Sequence, residues 1–306
     1  MSFNMATVTV LLSAYNGERY IAEQLESIVC QRGVSLRLVI RDDGSKDGTP
    51  EIIERFARKY PYVSFYRGDN LGAANSFLDL AKNAGVSDYY AFSDQDDVWE
   101  EDKLVSAVEK LEKADKSIPL LYFGNLKVTD EVLTVKRLFY DDLNIPDNKY
   151  AALAETFPSG CTEVFNIEAL KLLNSYSPQY CGMHDSWLYI LCSMFGKVIY
   201  DEDAHILYRQ HGDNVIGTGK KGAELIREKA VRLTDRSRQP RYNTARSLLE
   251  GYKDHMSAED IEVVTEITDY KKSLLSRAKL LTEKRIKAGS VARDIKNRLL
   301  IAAGMF

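Results

Sequence analysis

The stretch YYAFSDQDDVWEEDKL, from Tyr89 to Leu104, contains an apolar run that ends in three carboxylates within four residues, namely Asp94, Asp96 and Asp97. The apolar run predicts a buried strand, and the acidic segment after Trp99 predicts the start of a helix. Carboxylates this close repel one another, so their placement needs a reason. In α/β proteins ligands bind at the carboxyl ends of strands, which makes this cluster the first candidate site.

The same alternation of strand and helix extends upstream. The segments ATVTVLL, LRLVI and YVSFY predict strands, and each is followed by a segment with one apolar helical face: ERYIAEQLESIVC, EIIERFARKY and GAANSFLDLAKNA. Thr49 and Pro50 predict a helix start, a hydroxyl cap followed by proline. This alternation predicts a mostly parallel α/β sheet, and it places RDDGS, which contains Asp43, at the same edge as SDQDD.

The pattern loosens after Leu120. LLYFGNLKVTD predicts strands, IEALKLLNSY a helix capped by Asn166, HDSWLYILCSMFG an apolar helix, and KVIYD and AHILYRQHGDN two further strands. From about residue 219 onward only helical patterns remain, including one long run over residues 258–287. We therefore predict an α/β domain over residues 1–218 and a helical C-terminal region over residues 219–306.

The composition is that of an ordinary globular protein, with 306 residues, 45% hydrophobic and 28% charged. No apolar window approaches the roughly eighteen residues of a transmembrane helix, and the N-terminus lacks the pattern of a secretion signal, so we expect a cytoplasmic protein. The four cysteines lack C-x-x-C spacing, which favours buried thiols over a zinc site. We expect no nucleic-acid partner.

The net charge of −4 is unevenly distributed. Residues 271–306 contain ten basic and two acidic residues, a net charge of +8, which leaves −12 for residues 1–270. Four apolar residues in this tail fall at helical spacing: Leu274, Leu275, Ala278 and Leu281. The pattern predicts a helix on the anionic cytoplasmic face of the cell membrane. The alternatives are packing against the acidic domain and self-association into a homo-oligomer.

Asp94 and Asp96 flank Gln95 as a D-x-D motif. Mg²⁺ and Mn²⁺ take oxygen ligands, and they typically use one or two carboxylates together with phosphate oxygens. A cation bound with a diphosphate would relieve the repulsion among the carboxylates. The sequence therefore predicts a Mg²⁺ or Mn²⁺ site, although a D-x-D motif alone is common by chance.

Six segments together resemble family 2 glycosyltransferases of the GT-A fold, over roughly residues 6–216: VTVLLSAYNGERYIAEQLESI, RDDGSKDGT, FSDQDDVW, SGCTEVFN, HDSW and YRQHGDN. The forms FSDQDDVW and YRQHGDNVIG resemble bacterial rhamnosyltransferases that build cell-wall or capsular rhamnose polysaccharides. The resemblance implies an inverting enzyme that uses a nucleotide-sugar, with dTDP-L-rhamnose as the first choice. A UDP-hexose-dependent enzyme of the same fold is the alternative.

The resemblance also implies which residues bind the donor. Ala14 and Tyr15, after the first strand, would line the nucleotide pocket. Asp43 would accept the imide N–H of the base, which favours uracil or thymine. Asp94 and Arg209 would lie at the diphosphate, so the expected donor is a dTDP- or UDP-sugar.

The metal and the catalytic base are implied in the same way. Asp96, Asp94 and His211 would hold the cation, with Asp96 the more direct ligand. Asp185 of HDSW matches the base that takes the proton of the acceptor hydroxyl, and a general base is worth about 10²–10⁴-fold in rate. The alternatives are that Asp185 only caps the following helix and that His211 is a structural histidine.

Three aromatic residues are candidates for the acceptor pocket, and each also suits a packing role: Trp99, His184 and Trp187. Ser186 departs from the family pattern, because many relatives carry a bulky aromatic there. The expected acceptor is a hydroxyl of a lipid-linked bacterial surface polysaccharide.

Two other functions compete with this interpretation. A sugar-nucleotide pyrophosphorylase would carry a glycine-rich loop with a basic residue after the first strand, where this chain has SAYNGERY. A non-catalytic module on the same fold would not need five polar residues of this kind together: Asp43, Asp94, Asp96, Asp185 and Arg209. Both are ranked below the transferase.

Overall fold

The computed structural model describes residues 5–212 and 239–306. The chain divides into two compact units. The first comprises Met1–Asp142, Pro158–Asn174 and Met183–His211, and the second comprises Leu143–Phe157, Ser175–Gly182 and Gly212–Phe306. The predicted domain boundary, between residues 218 and 219, lies outside the described residues.

The first half of the first unit has the predicted alternation of strand and helix. Four parallel strands lie in the order β3-β2-β1-β4. Their bounds are β1 Thr7–Ala14, β2 Ser35–Asp42, β3 Val63–Arg67 and β4 Tyr89–Ser93. The helices that follow them are α1 Ile21–Val29, α2 Thr49–Lys59, α3 Ala73–Lys82 and α4 Lys103–Leu111. β4 is buried along its whole length and β1 almost so, as expected for strands covered on both faces.

The rest of the sheet is mixed. It adds the strands β5 Val98–Trp99, β6 Leu120–Thr129, β7 Val135–Leu138, β8 Val164–Asn166 and β9 Lys197–Arg209. β8 runs antiparallel to both β4 and β6, while β6 and β9 are parallel. The prediction of two strands in the β9 region was wrong. A shift of register opposite Gly124 and Asn125 lets a single strand continue through the polar residues that suggested a break.

Two helices of the first unit follow the later strands. They are α6 Ile167–Asn174 and α7 His184–Phe195, while the short α5 Ala151–Ala154 belongs to the second unit. Asn166 caps α6 as predicted, because its side-chain oxygen accepts from the N–H of Ala169 at 3.0 Å.

The second unit is helical. Among its described residues, the four longer helices are α8 Pro240–Tyr252, α9 Ala258–Asp269, α10 Leu274–Thr282 and α11 Val291–Ala303. The predicted continuous run over residues 258–287 was wrong, because the Ser273 side chain accepts from the N–H of Ser276 and starts a new helix. The chain end is buried here, since Phe306 N–H donates to Tyr270 Oη at 3.1 Å. Within the described parts of the chain, no helix has both the length and the hydropathy of a membrane span.

Candidate active site

The carboxyl ends of three neighbouring strands form the edge on which the predicted site lies. Ala14 at the end of β1 pairs with Asp42 at the end of β2, and Leu12 pairs with Ser93 at the end of β4. The segments that follow these strands, SAYNGE, DDGSKDGT and SDQDD in their sequence order, are therefore brought together as predicted. β5 and β9 pair beside them and carry Trp99 and Arg209.

The loop after β1 is held by side chains from the other two segments. Four consecutive backbone N–H groups, of residues 15–18, each donate to a side-chain oxygen: Tyr15 to Gln95 at 2.8 Å, Asn16 to Ser45 at 2.9 Å, Gly17 to Thr49 at 2.8 Å and Glu18 to Asp47 at 3.1 Å. Asn16 and Glu18 return two bonds, accepting from the backbone N–H groups of Lys46 and Gly48. We call these six hydrogen bonds the loop network.

The loop network also corrects the prediction for Thr49. Gly48, not Thr49, is the capping residue of α2, and the Thr49 hydroxyl accepts from Gly17 while donating to Asp47 at 2.6 Å. Sequence reasoning assigned no role to Ser45 or Asp47. The available signal was the density of short polar side chains, which favour bonds to nearby backbone.

Asp43 is buried and its carboxylate already has three donors. Oδ1 accepts from the Arg41 guanidinium and from Leu71 N–H at 2.9 Å, and Oδ2 accepts from Gly72 N–H at 3.0 Å. A carboxylate offers about four lone-pair directions, so little capacity remains for a further donor. The predicted bond to the base stays a prediction. Ala14 is buried in β1, whereas the Tyr15 side chain is 43% exposed and lies free to meet a ligand.

The D-x-D carboxylates lie beside one of the predicted partners. His211 Nε2 is 2.8 Å from Asp96 Oδ2. Burial, together with the charges of Asp96 and Asp185, raises the pKa of Asp94 to about 7. Carboxylate and imidazole ligands suit Mn²⁺ and, less closely, Mg²⁺. The residues present therefore fit a divalent cation, whose charge would offset the repulsion that Asp94 experiences.

A second group of polar side chains lies beneath the motif. Asp94, Asp97 and Cys161 have ligand atoms within 4.8 Å of one another, but a thiol is a poor ligand for Mg²⁺ or Mn²⁺. The Lys103 ammonium lies 3.4 Å from the centre of the Trp99 ring, and burial lowers the pKa of Lys103 to about 7. Sequence reasoning missed Lys103, because a lysine at a helix start resembles a solvated one.

Arg209 connects several parts of the site. Its Nε donates to Asp96 O at 2.9 Å, and its terminal nitrogens donate to Glu131 O and to the Glu23 carboxylate. The guanidinium also lies 4.8 Å from the centre of the Tyr20 ring. Arg209 therefore holds the backbone of the D-x-D motif, and its predicted contact with a diphosphate stays a prediction.

Asp185 is the second residue of α7, whose capping residue is Met183. Its Oδ2 accepts from Gly160 N–H at 3.1 Å and its Oδ1 from Ser186 N–H, so the carboxylate joins HDSW to SGC. His184 is buried, with its ring stacked 3.9 Å from that of Phe77, and burial lowers the pKa of His184 to about 4.

The three acceptor candidates, Trp99, His184 and Trp187, are all buried in this structure. Their acceptor role stays a prediction, and the contacts of His184 and Trp99 are those of packed side chains. Gly160 is needed beside His184, because a Cβ at position 160 would lie 2.8 Å from His184 Nε2.

Residues 9–172 match the sequence model of the family described as glycosyl transferase family 2. The chain belongs to this family. This family 2 glycosyltransferase is similar to the dTDP-rhamnosyl transferase RfbG of Shigella flexneri, with 31% identity over 224 residues that cover 67% of the chain and 73% of the relative. It is also similar to the glycosyltransferase GlyG of Streptococcus pneumoniae, with 24% identity over 230 residues, covering 69% and 73%.

Solved structures place the glycosyltransferase in the GT-A fold. Residues 1–349 of S. aureus TarS, in complex with UDP-GlcNAc, superpose with a TM-score of 0.55 and 15% identity, covering 97% of this chain and 90% of that one. The mannosyltransferase PcManGT from Pyrobaculum calidifontis, in complex with GDP-Man and Mn²⁺, gives a TM-score of 0.53 and 21% identity, covering 98% and 80%.

The first prediction for the glycosyltransferase concerns Arg209. Arg209→Lys keeps the charge but loses the planar fork that reaches three oxygens, so we expect a loss of about 2 kcal/mol in unfolding free energy. Arg19→Lys is the matched control, because Arg19 forms an exposed pair with Glu131 and should change stability by less than about 0.5 kcal/mol. Urea denaturation measures both, and equal effects would contradict the role assigned to Arg209.

Proposed function

We propose that this glycosyltransferase moves L-rhamnose from dTDP-L-rhamnose to a hydroxyl of a growing, lipid-linked bacterial surface polysaccharide, with inversion at the sugar carbon. The observation that supports it most is that Asp96 of the D-x-D motif lies 2.8 Å from His211, while burial and the charges of Asp96 and Asp185 all act to raise the pKa of Asp94. The choice of rhamnose rests on the 31% identity with a dTDP-rhamnosyl transferase. A UDP-hexose donor is the alternative.

The donor is assigned to the loop between β1 and α1 and to Asp43. The exposed Tyr15 ring offers a face on which a base can stack, while its backbone is fixed by the loop network. Asp43 selects a base with an imide N–H, which thymine and uracil have. Because Asp43 now accepts from Leu71 and Gly72, base binding would involve exchange of at least one of these bonds.

Asp185 is assigned as the general base. It takes the proton from the acceptor hydroxyl while that oxygen forms a bond to the anomeric carbon and the bond to the nucleoside diphosphate breaks. Asp94, Asp96 and His211 would hold a divalent cation, whose chemistry is to stabilise the charge of the departing diphosphate. Gly160 and Ser186 N–H groups orient the Asp185 carboxylate.

A thermal-shift panel of nucleotide-sugars tests the donor. With Mn²⁺ present, dTDP-L-rhamnose at about 100 times its Kd should stabilise the protein by about 2.7 kcal/mol, because it binds only the folded state. Asp96→Asn should lose the metal-dependent part of this shift while keeping its melting temperature without ligand. A panel in which only purine nucleotide-sugars stabilise the enzyme would reject the proposed donor.

Asp185→Asn separates binding from chemistry. The amide keeps the shape of the side chain but cannot accept a proton, so turnover should fall by at least about 10²-fold while the dissociation constant of the donor changes little. Initial rates of sugar release and calorimetric titration measure the two quantities. If turnover and donor affinity fell together, Asp185 would belong to the donor site and would not be the general base.

We also propose that the second unit binds an anionic membrane surface. α11 exposes Val291, Ile295 and Leu299, which are spaced four residues apart and form one stripe, and α10 exposes Leu274 and Leu275. We call these five residues the apolar stripe; each is 56% to 82% exposed. Apolar residues in water at this density indicate a contact surface.

The charges around the apolar stripe favour a membrane as the partner. Four basic tail residues pair with acids of the same unit, namely Lys272, Lys279, Arg285 and Arg293. Within residues 5–212 and 239–306, six others form no ion pair: Lys271, Arg277, Lys284, Lys287, Lys296 and Arg298. Each unpaired cation near an anionic bilayer contributes about 1 kcal/mol.

Point variants test this surface better than truncation, because the chain end packs on Tyr270. The protein should sediment with vesicles rich in phosphatidylglycerol at low salt and be released as salt rises. Ile295→Gln with Leu299→Gln should weaken vesicle binding at least about tenfold. Val86→Gln with Val132→Gln, at still more exposed positions of the first unit, is the control and should bind as the wild type does.

Two results would reject the membrane surface. One is equal sedimentation of the two double variants, which would show that the apolar stripe does not enter the bilayer. The other is a wild-type dimer in light scattering that the Ile295/Leu299 variant abolishes, with no vesicle binding by either protein. That outcome would assign the apolar stripe to self-association instead.

A further inference from the structure

Gln95, between the two carboxylates of the D-x-D motif, binds the backbone of Tyr15 with both ends of its side-chain amide. Its Oε1 accepts from Tyr15 N–H at 2.8 Å, and its Nε2 donates to Tyr15 C=O at 3.0 Å. A neighbouring strand would make the same pair of bonds. The residue after β1 is thus fixed to the residue between the two proposed metal ligands, 80 positions away in sequence.

The sequence around Tyr15 is shaped to accept this side chain. A Cβ at position 17 would lie 2.2 Å from Gln95 Oε1, so only glycine leaves room for the amide. Gly17 N–H in turn donates to Thr49 Oγ1 at 2.8 Å. The glycine of SAYNG is therefore explained by the close approach of Gln95, since Gly17 itself has no left-handed backbone.

We propose that Gln95 is a positioning residue that fixes the nucleotide-facing Tyr15 at a set distance from the carboxylates Asp94 and Asp96. The inference rests on the proposed donor site and adds a part to it. Recognition of the nucleoside at Tyr15 and recognition of the diphosphate at the D-x-D motif then occur on one rigid element. The middle position of this D-x-D motif therefore has to be glutamine.

Only an amide of this length can make both bonds. Glutamate can accept from Tyr15 N–H, but it has no donor for Tyr15 C=O and adds a further carboxylate to a cluster that already repels. Methionine has a similar length and no charge, and it can make neither bond strongly. Gln95→Met therefore removes the link to Tyr15 without altering the charge near Asp94 and Asp96.

Gln31 provides a matched control. Its Nε2 donates to Glu100 O at 2.7 Å and its Oε1 accepts from Leu104 N–H at 3.0 Å, so it also binds backbone with both ends of an amide. Gln31→Met removes these two bonds at the start of α4, together with a longer bond of 3.4 Å from Gln31 Nε2 to Ser27 O. Its effect reports the general cost of losing such a pair.

The experiment measures dissociation constants by calorimetry for dTDP, UDP, GDP and ADP, in EDTA and again with Mn²⁺. For the nucleotide that binds the wild type best, Gln95→Met should weaken binding about tenfold in EDTA, where no cation contributes. Gln31→Met should lower the melting temperature by about as much as Gln95→Met does. It should leave this dissociation constant unchanged. Donor hydrolysis by Gln95→Met should show a raised KM with kcat within about threefold of the wild type.

Three outcomes overturn the inference, and a fourth bears only on the proposed donor. If Gln95→Met binds the nucleotide normally in EDTA and is weaker only with Mn²⁺, Gln95 serves the metal site and not Tyr15. If Gln31→Met loses the same affinity, the loss reflects general destabilisation. If GDP or ADP is the preferred nucleotide, the proposed pyrimidine donor fails while Gln95 is still tested, and if no nucleotide binds, both proposals fail.

Discussion

The site depends on one constraint, the capture of four consecutive backbone N–H groups by side chains. Residues 15–18 follow β1 without a strand or helix partner for their N–H groups, so other groups must accept these hydrogen bonds. Gln95, Ser45, Thr49 and Asp47 provide these partners. Each lies in one of the two acidic segments, so the bonds that satisfy the loop also hold those segments in place. These hydrogen bonds keep the two acidic segments together despite the mutual repulsion of their carboxylates.

Burial, as well as sequence, determines the charge of this edge. Burial and the charges of neighbouring carboxylates raise the pKa of Asp94 to about 7 and that of Asp97 well above its usual range. Glu163 is fully buried, and neither carboxylate oxygen has a hydrogen-bond partner among the described residues. Burial and the charge of Asp185 raise the pKa of Glu163. At neutral pH this edge therefore carries less negative charge than it would if all of these carboxyl groups were ionised.

The sequence predicts this fold well where periodicity is sufficient. The parallel strands β1 to β4, their helices and the meeting of RDDGS with SDQDD all follow from apolar spacing and sheet topology. The errors have physical causes: a register shift let β9 continue, and Ser273 divided a helical run that looked continuous. The loop network could not be predicted, because partners such as Gln95 and Tyr15 lie 80 residues apart. Local patterns carry no information on such pairs.

The division of labour at Tyr15 has a consequence for enzyme engineering. The N–H and the C=O of Tyr15 are both bound by the side-chain amide of Gln95, whereas its ring extends into solvent. Replacing the ring leaves every bond of that backbone intact, so position 15 can be varied without rebuilding the scaffold beneath it. Libraries of variants at position 15 would vary the base preference while the loop backbone stays the same. Libraries at Asn16 or Gly17 would mostly contain variants whose loop misfolds.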